Sequence, residues 1–481
     1  MKKLLVVYLA ILIAFGAGIF AILERGRHLE TARSAAAAAT KTPETPATPA
    51  PAAGHGRSAL PILLLQLITI VLTARALGAL FRRIGQPPVI GEIVAGILLG
   101  PSLLGAVAPD VFAFLFPPAS VGLLKLFAEI GVLLFLFAVG LELDVERLRH
   151  QARTAVVVSH ASIVVPYFLG VGLALFLYTE FAPAGTGFLP FALFMGIAMS
   201  ITAFPVLVRI LKERGLAGTH LGQIAVTAAA VDDVTAWSLL AMVVAISAAS
   251  GLWAATATIV LTVVFIAAML FAVGPIFRRL FAAHAEKEEP GKTVIAAVLV
   301  VLLASALTTE LIGIHALFGA FLAGVIMPRQ QGFRSYLTAR IEEFSSVFLL
   351  PLFFAFTGLR TKIGLLNDAR SWLICGLIIL VATAGKLGGS MLAARLTGTA
   401  WADAFALGAL MNSRGLMELI ALNVGYELGI LTPRIFAMMV LMALVTTFAT
   451  GPLLSLADRL RRVELTDRHG QSVVMQGDQE S

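Results

Sequence analysis

Two adjacent aspartates, Asp232 and Asp233, stand in the stretch AAAVDDVTAW at residues 228–237, near the middle of an apolar segment that covers residues 219–249. A segment of this kind is typical of a helix that crosses a bilayer, which needs about 20 predominantly apolar residues. A charged side chain at the centre of such a helix costs at least about 2.5–3.5 kcal/mol. The pair therefore predicts a membrane protein in which two buried carboxylates have a function.

The whole chain has the composition of a protein with many membrane spans. Of its 481 residues, 59% are hydrophobic and 13% are charged, and the mean hydropathy is +0.94, whereas soluble domains carry about 25% charged residues. These values exclude a soluble enzyme and a single-span receptor. They predict an all-α membrane protein with about 13 transmembrane helices. The thirteen apolar segments from Ala59 onward lie at 59–81, 88–107, 119–141, 154–178, 188–211, 219–249, 253–276, 293–309, 312–327, 344–359, 371–395, 402–424 and 435–456.

The two ends of the chain differ from this apolar body. Residues 1–30 begin with basic residues and an apolar run, which predicts one extra N-terminal transmembrane helix or signal anchor; cleavage is an alternative. Residues 31–57 are rich in Ala, Thr and Pro and are predicted to form an extended linker. Residues 58–460 would then be the transmembrane domain, and residues 461–481 a short cytoplasmic tail.

The basic residues predict the orientation of the chain in the membrane. If the linker lies outside, 22 of the 35 Lys and Arg fall on the inner side, 9 on the outer side and 4 within the spans. Because cytoplasmic loops are enriched in Lys and Arg, we expect a multi-pass protein of the cell (inner) membrane with a cytoplasmic C-terminus. The net charge of +7 is then a property of these loops, and no nucleic-acid partner is expected.

The carboxylate pair has one obvious counter-charge. Adjacent residues point about 100° apart on a helix, so Asp232 and Asp233 can face different surroundings, and two charged carboxylates side by side in lipid favour a role in proton uptake and release. Lys386, in ATAGKLGG at 382–389, is midway along another apolar segment between glycines that allow close helix approach. We expect Lys386 to pair with one aspartate, either as part of the ion site or as a purely structural partner.

Two apolar segments carry helix breakers at membrane depth. Pro205 interrupts SITAFPVLVRIL in the 188–211 segment, and Gly415 interrupts ALMNSRGLMELIAL in the 402–424 segment. Each stands second in a block of three helices, and the two blocks run in opposite senses, as in an inverted repeat. Broken helices in corresponding positions of two halves are a sign of a transporter site, although Pro205 alone could mark a simple kink.

A second charged pair stands beside the second break. Arg414 and Glu418 are four residues apart, so they can form an ion pair within one helix. Their role could be to gate a path or only to neutralise each other. We expect them to be a possible gating or structural pair rather than the ion site.

The motifs resemble those of the cation:proton antiporter superfamily, in particular its second branch, which contains sodium/proton and potassium/proton exchangers. The resemblance extends over most of residues 59–456. It is carried by AAAVDDVTAW together with GEIVAGILLGP at 91–101, FAEIGVLLFLFAVGLELD at 127–144, GAFLAGVIMP at 319–328 and FFAFTGLR at 353–360.

The resemblance implies inverted repeats, two broken crossing helices, and a homodimer in which a mobile core domain moves against a dimerisation domain. By position, Asp233 resembles the cation and proton binder, Asp232 its neighbour that pairs with the core lysine, and Lys386 that lysine. Thr202 and nearby carbonyls would complete the oxygen shell of a monovalent cation at Asp233 and Asp232. Two adjacent aspartates in this family imply electrogenic exchange of two protons for one cation.

Other functions were weighed against secondary antiport of sodium or potassium for protons. A cation channel without obligatory proton coupling is the nearest alternative. An intramembrane aspartyl hydrolase needs two carboxylates from two helices around one water, whereas Asp232 and Asp233 are neighbours on one helix, so no enzyme activity is expected. The oxygen-rich site suits hard monovalent cations. The single cysteine, Cys375, cannot form an intrachain disulfide. No cofactor is expected. The sequence does not distinguish sodium from potassium or lithium.

Overall fold

The structure, a computed structural model, describes residues 2–39, 59–142, 152–248, 252–285, 291–328 and 330–477, and these contain helices and no strand. In chain order the α-helices are α1 Lys2–Ala39, α2 Ala59–Arg83, α3 Pro88–Leu99, α4 Leu104–Val107, α5 Pro109–Leu115, α6 Pro118–Glu142, α7 Ala152–Phe181, α8 Phe188–Ser200, α9 Phe204–Glu213, α10 His220–Ala248, α11 Leu252–Ala268, α12 Gly274–Ala285, α13 Lys292–Ile312, α14 Ala316–Ile326, α15 Gln331–Phe344, α16 Leu350–Arg360, α17 Ala369–Thr383, α18 Gly389–Leu396, α19 Trp401–Met411, α20 Leu416–Glu427 and α21 Pro433–Gly477. Three π-helical turns, Met269–Val273, Ser345–Leu349 and Ala384–Gly388, join consecutive helices without a break in the rod.

The all-α membrane fold is confirmed, and each of the thirteen apolar segments coincides with helix. Within the described residues, eleven helical spans are long and apolar enough to cross a membrane, and the bent pair α19 and α20 makes a twelfth. The thirteenth segment corresponds to α14, which has only 11 residues. The count of 13 membrane crossings is therefore not confirmed, because a helix needs about 20 apolar residues to span the bilayer alone.

The first helix is longer than the sequence indicated. α1 continues to Ala39, so the extended linker expected from residue 31 begins no earlier than residue 40. The physical reason is the run Ser34–Ala39, since alanine has the highest helix propensity of all residues. Residues 40–58 lie outside the described residues. At the other end, α21 runs through the predicted boundary at 460 as far as Gly477.

The helices pack into two groups. One group, which we call the core, consists of α7–α10 and α17–α21; the other, which we call the scaffold, contains α2, α3, α6 and α13–α16. α7 packs on α8, α10 and α18, and α19 packs on α18 and α21. In the scaffold, α3 packs between α2 and α16, and α6 contacts α14 and α16.

The buried centre of the core is a helix that is broken in two. Most of the span formed by α8 and α9, residues 188–213, is buried inside the protein. The second broken span, α19 and α20, is bent by 42°. Each broken span lies second in its block, after α7 and after α17 with α18, so the order expected of the two repeats is present in the structure.

Candidate ion-binding site

The first break follows from Pro205. Proline lacks an N–H and disfavours helical backbone at the residue before it, so it is favoured in the first turn of a helix, where α9 places it. α8 ends at Ser200, and Ile201 and Ala203 take extended backbone conformations, with ψ of 134° and 91°. Thr202 therefore lies in a non-helical segment inside the protein, and it is fully buried.

The second break follows from Gly415, whose φ of +150° is open to glycine but strained for other residues. It separates α19 from α20. The two breaks meet: the backbone N–H of Ala203 donates to the carbonyl of Ser413 at 3.0 Å, and the Thr202 hydroxyl donates to the carbonyl of Met411 at 3.3 Å. The crossing of two interrupted helices is thus held by direct hydrogen bonds between the interruptions.

Asp232 is surrounded by donors. Ser159 and Thr202 donate their hydroxyls to its carboxylate at 2.6 and 2.7 Å, and Ser162 donates a further short bond. The ammonium of Lys386 lies 3.3 Å from Oδ2. A buried carboxylate is stable only when it is paired and hydrogen-bonded, and Asp232 meets that requirement completely.

Lys386 lies in the π-helical turn Ala384–Gly388 and is fully buried. Its ammonium donates to the carbonyl and the hydroxyl of Ser162, at 3.1 and 3.2 Å, and to the carbonyl of Ser200 at the end of α8. Single π-helical turns within α-helices occur frequently at functional sites. The lysine therefore joins α7, α8 and α10 through one charged group.

The glycines around Lys386 make this approach possible. A Cβ at Gly385 would lie 3.0 Å from the backbone of Pro166, and a Cβ at Gly389 would lie 3.0 Å from the side chain of Val165. Both distances are tighter than ordinary contacts, so larger residues would push α7 and the lysine-bearing helix apart. The close packing expected from the sequence is present.

Asp233 differs sharply from its neighbour. It is buried, yet its Oδ2 has no hydrogen-bond partner among the described residues. The backbone of Phe204, at the start of α9, supplies one hydrogen bond to the carboxylate. Asp233 also lines a small cavity with Ile201, Trp237 and Met417. It is the carboxylate of the pair that has a free oxygen and space beside it.

The Arg414–Glu418 pair lies at the second break, beside Gly415. Both side chains are fully buried, with 2.8 Å between a guanidinium nitrogen and Oε2. The same guanidinium donates to the carbonyls of Ala198 and Met199, at 2.9 and 2.6 Å. These carbonyls belong to the last turn of α8, where a helix needs cationic or donor groups. Arg414 and Lys386 together therefore cap three successive carbonyls of the broken helix.

Some polar atoms at the crossing have no partner within the described chain. They include Nδ2 and Oδ1 of Asn412, the hydroxyl of Ser390 and Oε1 of Glu418. Asn412 and Glu418 adjoin the second break and Ser390 lies on α18, and each unpartnered polar atom in a buried site is costly. Asn412 and Ser390 were not singled out in the sequence.

Sequence reasoning also missed the two serines on α7 that hold Asp232. Ser159 and Ser162 are fully buried and three residues apart, so they lie on one face of the helix. Two hydroxyls at that spacing in the apolar run VVVSHASIVV were the available signal. Of the predicted residues, the structure brings Thr202, Asp232 and Lys386 together, and it places Asp233 beside them with a different set of contacts.

The surroundings of the site differ between the two sides of the membrane. Toward the expected inner side, a cavity of about 350 Å³ reaches Pro205, Val206 and Leu416 beside the two breaks. Toward the expected outer side, Glu427 of the core is bound to two scaffold residues, at 3.1 Å from Lys125 and 3.0 Å from Arg360. These ion pairs join core to scaffold at that end.

The family model for the transmembrane sodium/hydrogen exchanger matches residues 68–457. All the residues of the site described above lie within this match, while α1 lies before it. The resemblance of the sequence motifs to cation:proton antiporters is thereby confirmed. The match covers most of the chain and includes both breaks.

Relatives with established names agree. The chain is 43% identical over 397 residues to the Na(+)/H(+) antiporter NhaS4 of Synechocystis, covering 82% of this chain and 97% of the relative. It is 42% identical to cation/H(+) antiporter 17 of Arabidopsis thaliana and 35% identical to K(+)/H(+) antiporter 1 of Saccharomyces cerevisiae. These matches cover 82% and 83% of this chain, but 48% and 46% of the plant and yeast proteins.

A solved structure shows the same fold. The sodium proton antiporter MjNhaP1 of Methanocaldococcus jannaschii matches with a TM-score of 0.60 at 12% identity, over 83% of this chain and 97% of that one. At this identity the match shows the fold alone. Together with the family match and the sequence relatives, it shows that the chain belongs to the transmembrane sodium/hydrogen exchanger family and is a transporter rather than an enzyme.

Proposed function

We propose that this exchanger transports a monovalent cation, sodium or potassium, against protons, and that Asp233 binds the cation and the proton in turn. The observation that carries the proposal is the contrast within the pair. Asp232 has donors on both oxygens, whereas Oδ2 of Asp233 is buried beside a small cavity and has no partner within the described part of the chain. A buried carboxylate in that condition needs a proton or a cation.

The chemistry of the surroundings fits a hard monovalent cation. Such ions prefer carboxylate, hydroxyl and carbonyl oxygens, and the first break provides all three kinds near Asp233. Because the same carboxylate oxygens would hold either the proton or the cation, the two compete, and this competition couples their movements. Asp232 and Thr202 would contribute to the same site, with Lys386 as the charge partner of Asp232.

Alternating access is supported by the unequal ends of the path. The inner cavity lies between scaffold and core, and the Glu427 ion pairs join the two at the outer end, which supports a site that opens toward one side at a time. We propose that the core moves against the scaffold in an elevator-like motion, which exposes the site first to one side of the membrane and then to the other. A channel would need a path open at both ends, and neither the family nor this arrangement supports one.

The exchange is proposed to be electrogenic, with two protons moved for each cation. The second proton would come from the Asp232–Lys386 pair, whose members lie 3.3 Å apart next to Asp233. Moving one charge through 100 mV is worth about 2.3 kcal/mol, so the membrane potential would then help to drive cation export. We further propose that the protein works as a homodimer in the cell membrane with its C-terminus in the cytoplasm, as the distribution of basic residues favours.

The experiment that tests the proposal is cation-dependent proton movement in proteoliposomes. Sodium, potassium and lithium are supplied separately, an ionophore clamps the voltage, and wild type is compared with Asp233→Asn. The matched control is Asp110→Asn, the same substitution at an exposed aspartate. We expect saturable proton release for at least one cation, lost in Asp233→Asn and kept in the control. Transport by Asp233→Asn at the wild-type rate would show that the assignment of Asp233 is wrong.

A further inference from the structure

The inner cavity has a lining that is unusual for the entrance of a cation transporter. Its apolar floor includes Phe135, Leu350 and Phe354, and its charged lining comes from both halves of the protein. Arg75 and Arg82 belong to scaffold helix α2, and Arg209 and Lys212 belong to core helix α9. The cavity therefore lies across the boundary along which scaffold and core would move.

The charges of this cavity do not cancel. Glu92 is the one acidic residue among the lining residues, and Glu213, outside the lining, pairs with Arg209 at 3.0 Å. Arg75, Arg82 and Lys212 make no salt bridge among the described residues. Counting the described residues alone, four cationic groups against these two carboxylates leave a surplus of two positive charges.

The spacing of the cationic residues along α2 and α9 places them on the helix faces that line the inner cavity. Arg75 and Arg82 are seven residues apart, which is two helical turns, and Arg209 and Lys212 are three apart, so each pair shares a helix face. Such a cluster repels an approaching sodium or potassium ion. It attracts an anion, and arginine in particular matches the geometry of phosphate oxygens.

We propose that this cavity binds the phosphate group of an organic anion, held between the arginines of α2 and the basic residues of α9. The apolar floor would accept the non-polar part of that molecule. The volume of about 350 Å³ is sufficient, since pockets for organic ligands occupy about 300–1,000 Å³. The phosphate group can belong to a lipid headgroup or to a soluble nucleotide.

A phosphate group bound to both α2 and α9 links scaffold to core and holds them in the arrangement in which the inner cavity is open. Binding of the phosphate group therefore slows exchange. This consequence rests on the proposed alternating-access function, whereas the binding itself does not. The two are separated by Asp233→Asn, which removes transport and leaves the cavity lining intact.

Binding is measured first, on the full chain in phosphatidylcholine nanodiscs, by the shift in thermal unfolding during titration with ATP, with inorganic phosphate, or with phosphatidate added to the disc. The variants are Arg75→Gln/Arg82→Gln and Arg209→Gln/Lys212→Gln. The matched control is Arg83→Gln, next to Arg82 but absent from the cavity lining. We expect saturable stabilisation by ATP or phosphatidate, with affinity at least tenfold weaker in both double variants and unchanged in Arg83→Gln and Asp233→Asn.

Three results would overturn the proposal: no probe stabilises the protein saturably, the double variants bind as wild type does, or Arg83→Gln loses binding equally. Stabilisation by phosphatidate alone identifies a lipid source, and stabilisation by ATP identifies a soluble one. In proteoliposomes, the effective probe should lower the maximal exchange rate of wild type and not that of Arg75→Gln/Arg82→Gln. An equal rate with and without the probe would contradict the inhibitory effect.

Discussion

The crossing of the broken helices contains two fully buried ion pairs that differ in what surrounds them. In the first, Lys386 lies 3.3 Å from Asp232, beside the partly unsatisfied Asp233. In the second, Arg414 lies 2.8 Å from Glu418. Both pairs donate to backbone carbonyls at the end of α8, and within the described residues each has an unpartnered carboxylate oxygen, Oδ2 of Asp233 beside the first and Oε1 of Glu418 in the second. They differ in the cation, a lysine or an arginine, and in the second carboxylate that lies beside the first pair only.

The difference indicates a division of roles. Arginine stays protonated in proteins and forms several bonds in a rigid geometry, whereas lysine is a compact charge that can give up its proton. Arg414 therefore suits a fixed attachment between the two breaks, and Lys386 suits a charge that responds to the occupancy of Asp233. The first pair should matter most for transport, and the second most for the stability of the crossing.

The largest effect on stability is expected for Arg414→Leu. The change removes the donor to the carbonyls of Ala198 and Met199 and leaves Glu418 buried alone. Breaking a buried ion pair costs about 3–5 kcal/mol, and two unsatisfied carbonyls add about 1–3 kcal/mol each. We expect a large fall in thermal stability, measured by unfolding in detergent. Arg209→Leu, at an exposed arginine that also pairs at i,i+4, is the control and should change stability little.

Lys386→Met should have a smaller effect on stability and a larger one on transport. Asp232 loses its counter-charge but keeps three hydroxyl donors, so we expect the broken pair to cost about 3 kcal/mol, the lower end of its range. The carbonyls of Ser162 and Ser200 lose a donor as well, which adds about 1–3 kcal/mol each. Cation-dependent proton movement should fall at least tenfold, because Asp232 then competes with Asp233 for the ions.

The double variant Asp232→Asn/Lys386→Met separates these two effects. Replacing both members of a buried pair is often close to neutral for stability, so thermal stability should recover toward wild type while transport stays low. Recovery of both stability and voltage-dependent transport would contradict an ion-handling role for the first pair.

Glu418→Gln should have an intermediate effect, and it tests whether the second pair is only structural. Arg414 keeps its two carbonyl partners, so we expect a cost of about 2 kcal/mol for the loss of one charge-assisted bond. Exchange per folded molecule, and its dependence on pH and cation concentration, should stay close to wild type. A shift of the pH profile by Glu418→Gln would instead place this carboxylate in the transport cycle.

Much of this crossing could be predicted from sequence, since a few residues determine it. Pro205 and Gly415 impose their breaks through local backbone restrictions, and a lone Lys386 in an apolar helix requires a buried counter-charge. The partners of Arg414 could not be predicted, because the carbonyls of Ala198 and Met199 come from a helix more than 200 residues earlier. Hydrogen bonds to backbone leave no signature in residue types.

The ends of two helices, α1 and α14, also differ from what the sequence predicted. The alanine run that carries α1 to Ala39 was overlooked because the surrounding composition suggested a linker. The shortness of α14 was hidden because its apolar segment merges with the flanking residues 312–315. In both cases local propensity and turn geometry, rather than overall composition, decide where the helix begins and ends.

The smallest expected effect concerns Thr202, which the sequence assigned to the oxygen shell of the cation. In the structure its hydroxyl donates to Asp232 at 2.7 Å and to Met411 at 3.3 Å. Thr202→Val keeps the shape and removes the donor, so we expect a loss of about 1 kcal/mol in stability. If the hydroxyl also binds the cation, the KM for the cation should rise several-fold, and Thr202→Ser should restore it. An unchanged KM in Thr202→Val would assign the residue to positioning Asp232 only, which would leave Asp233 and the break carbonyls as the cation ligands.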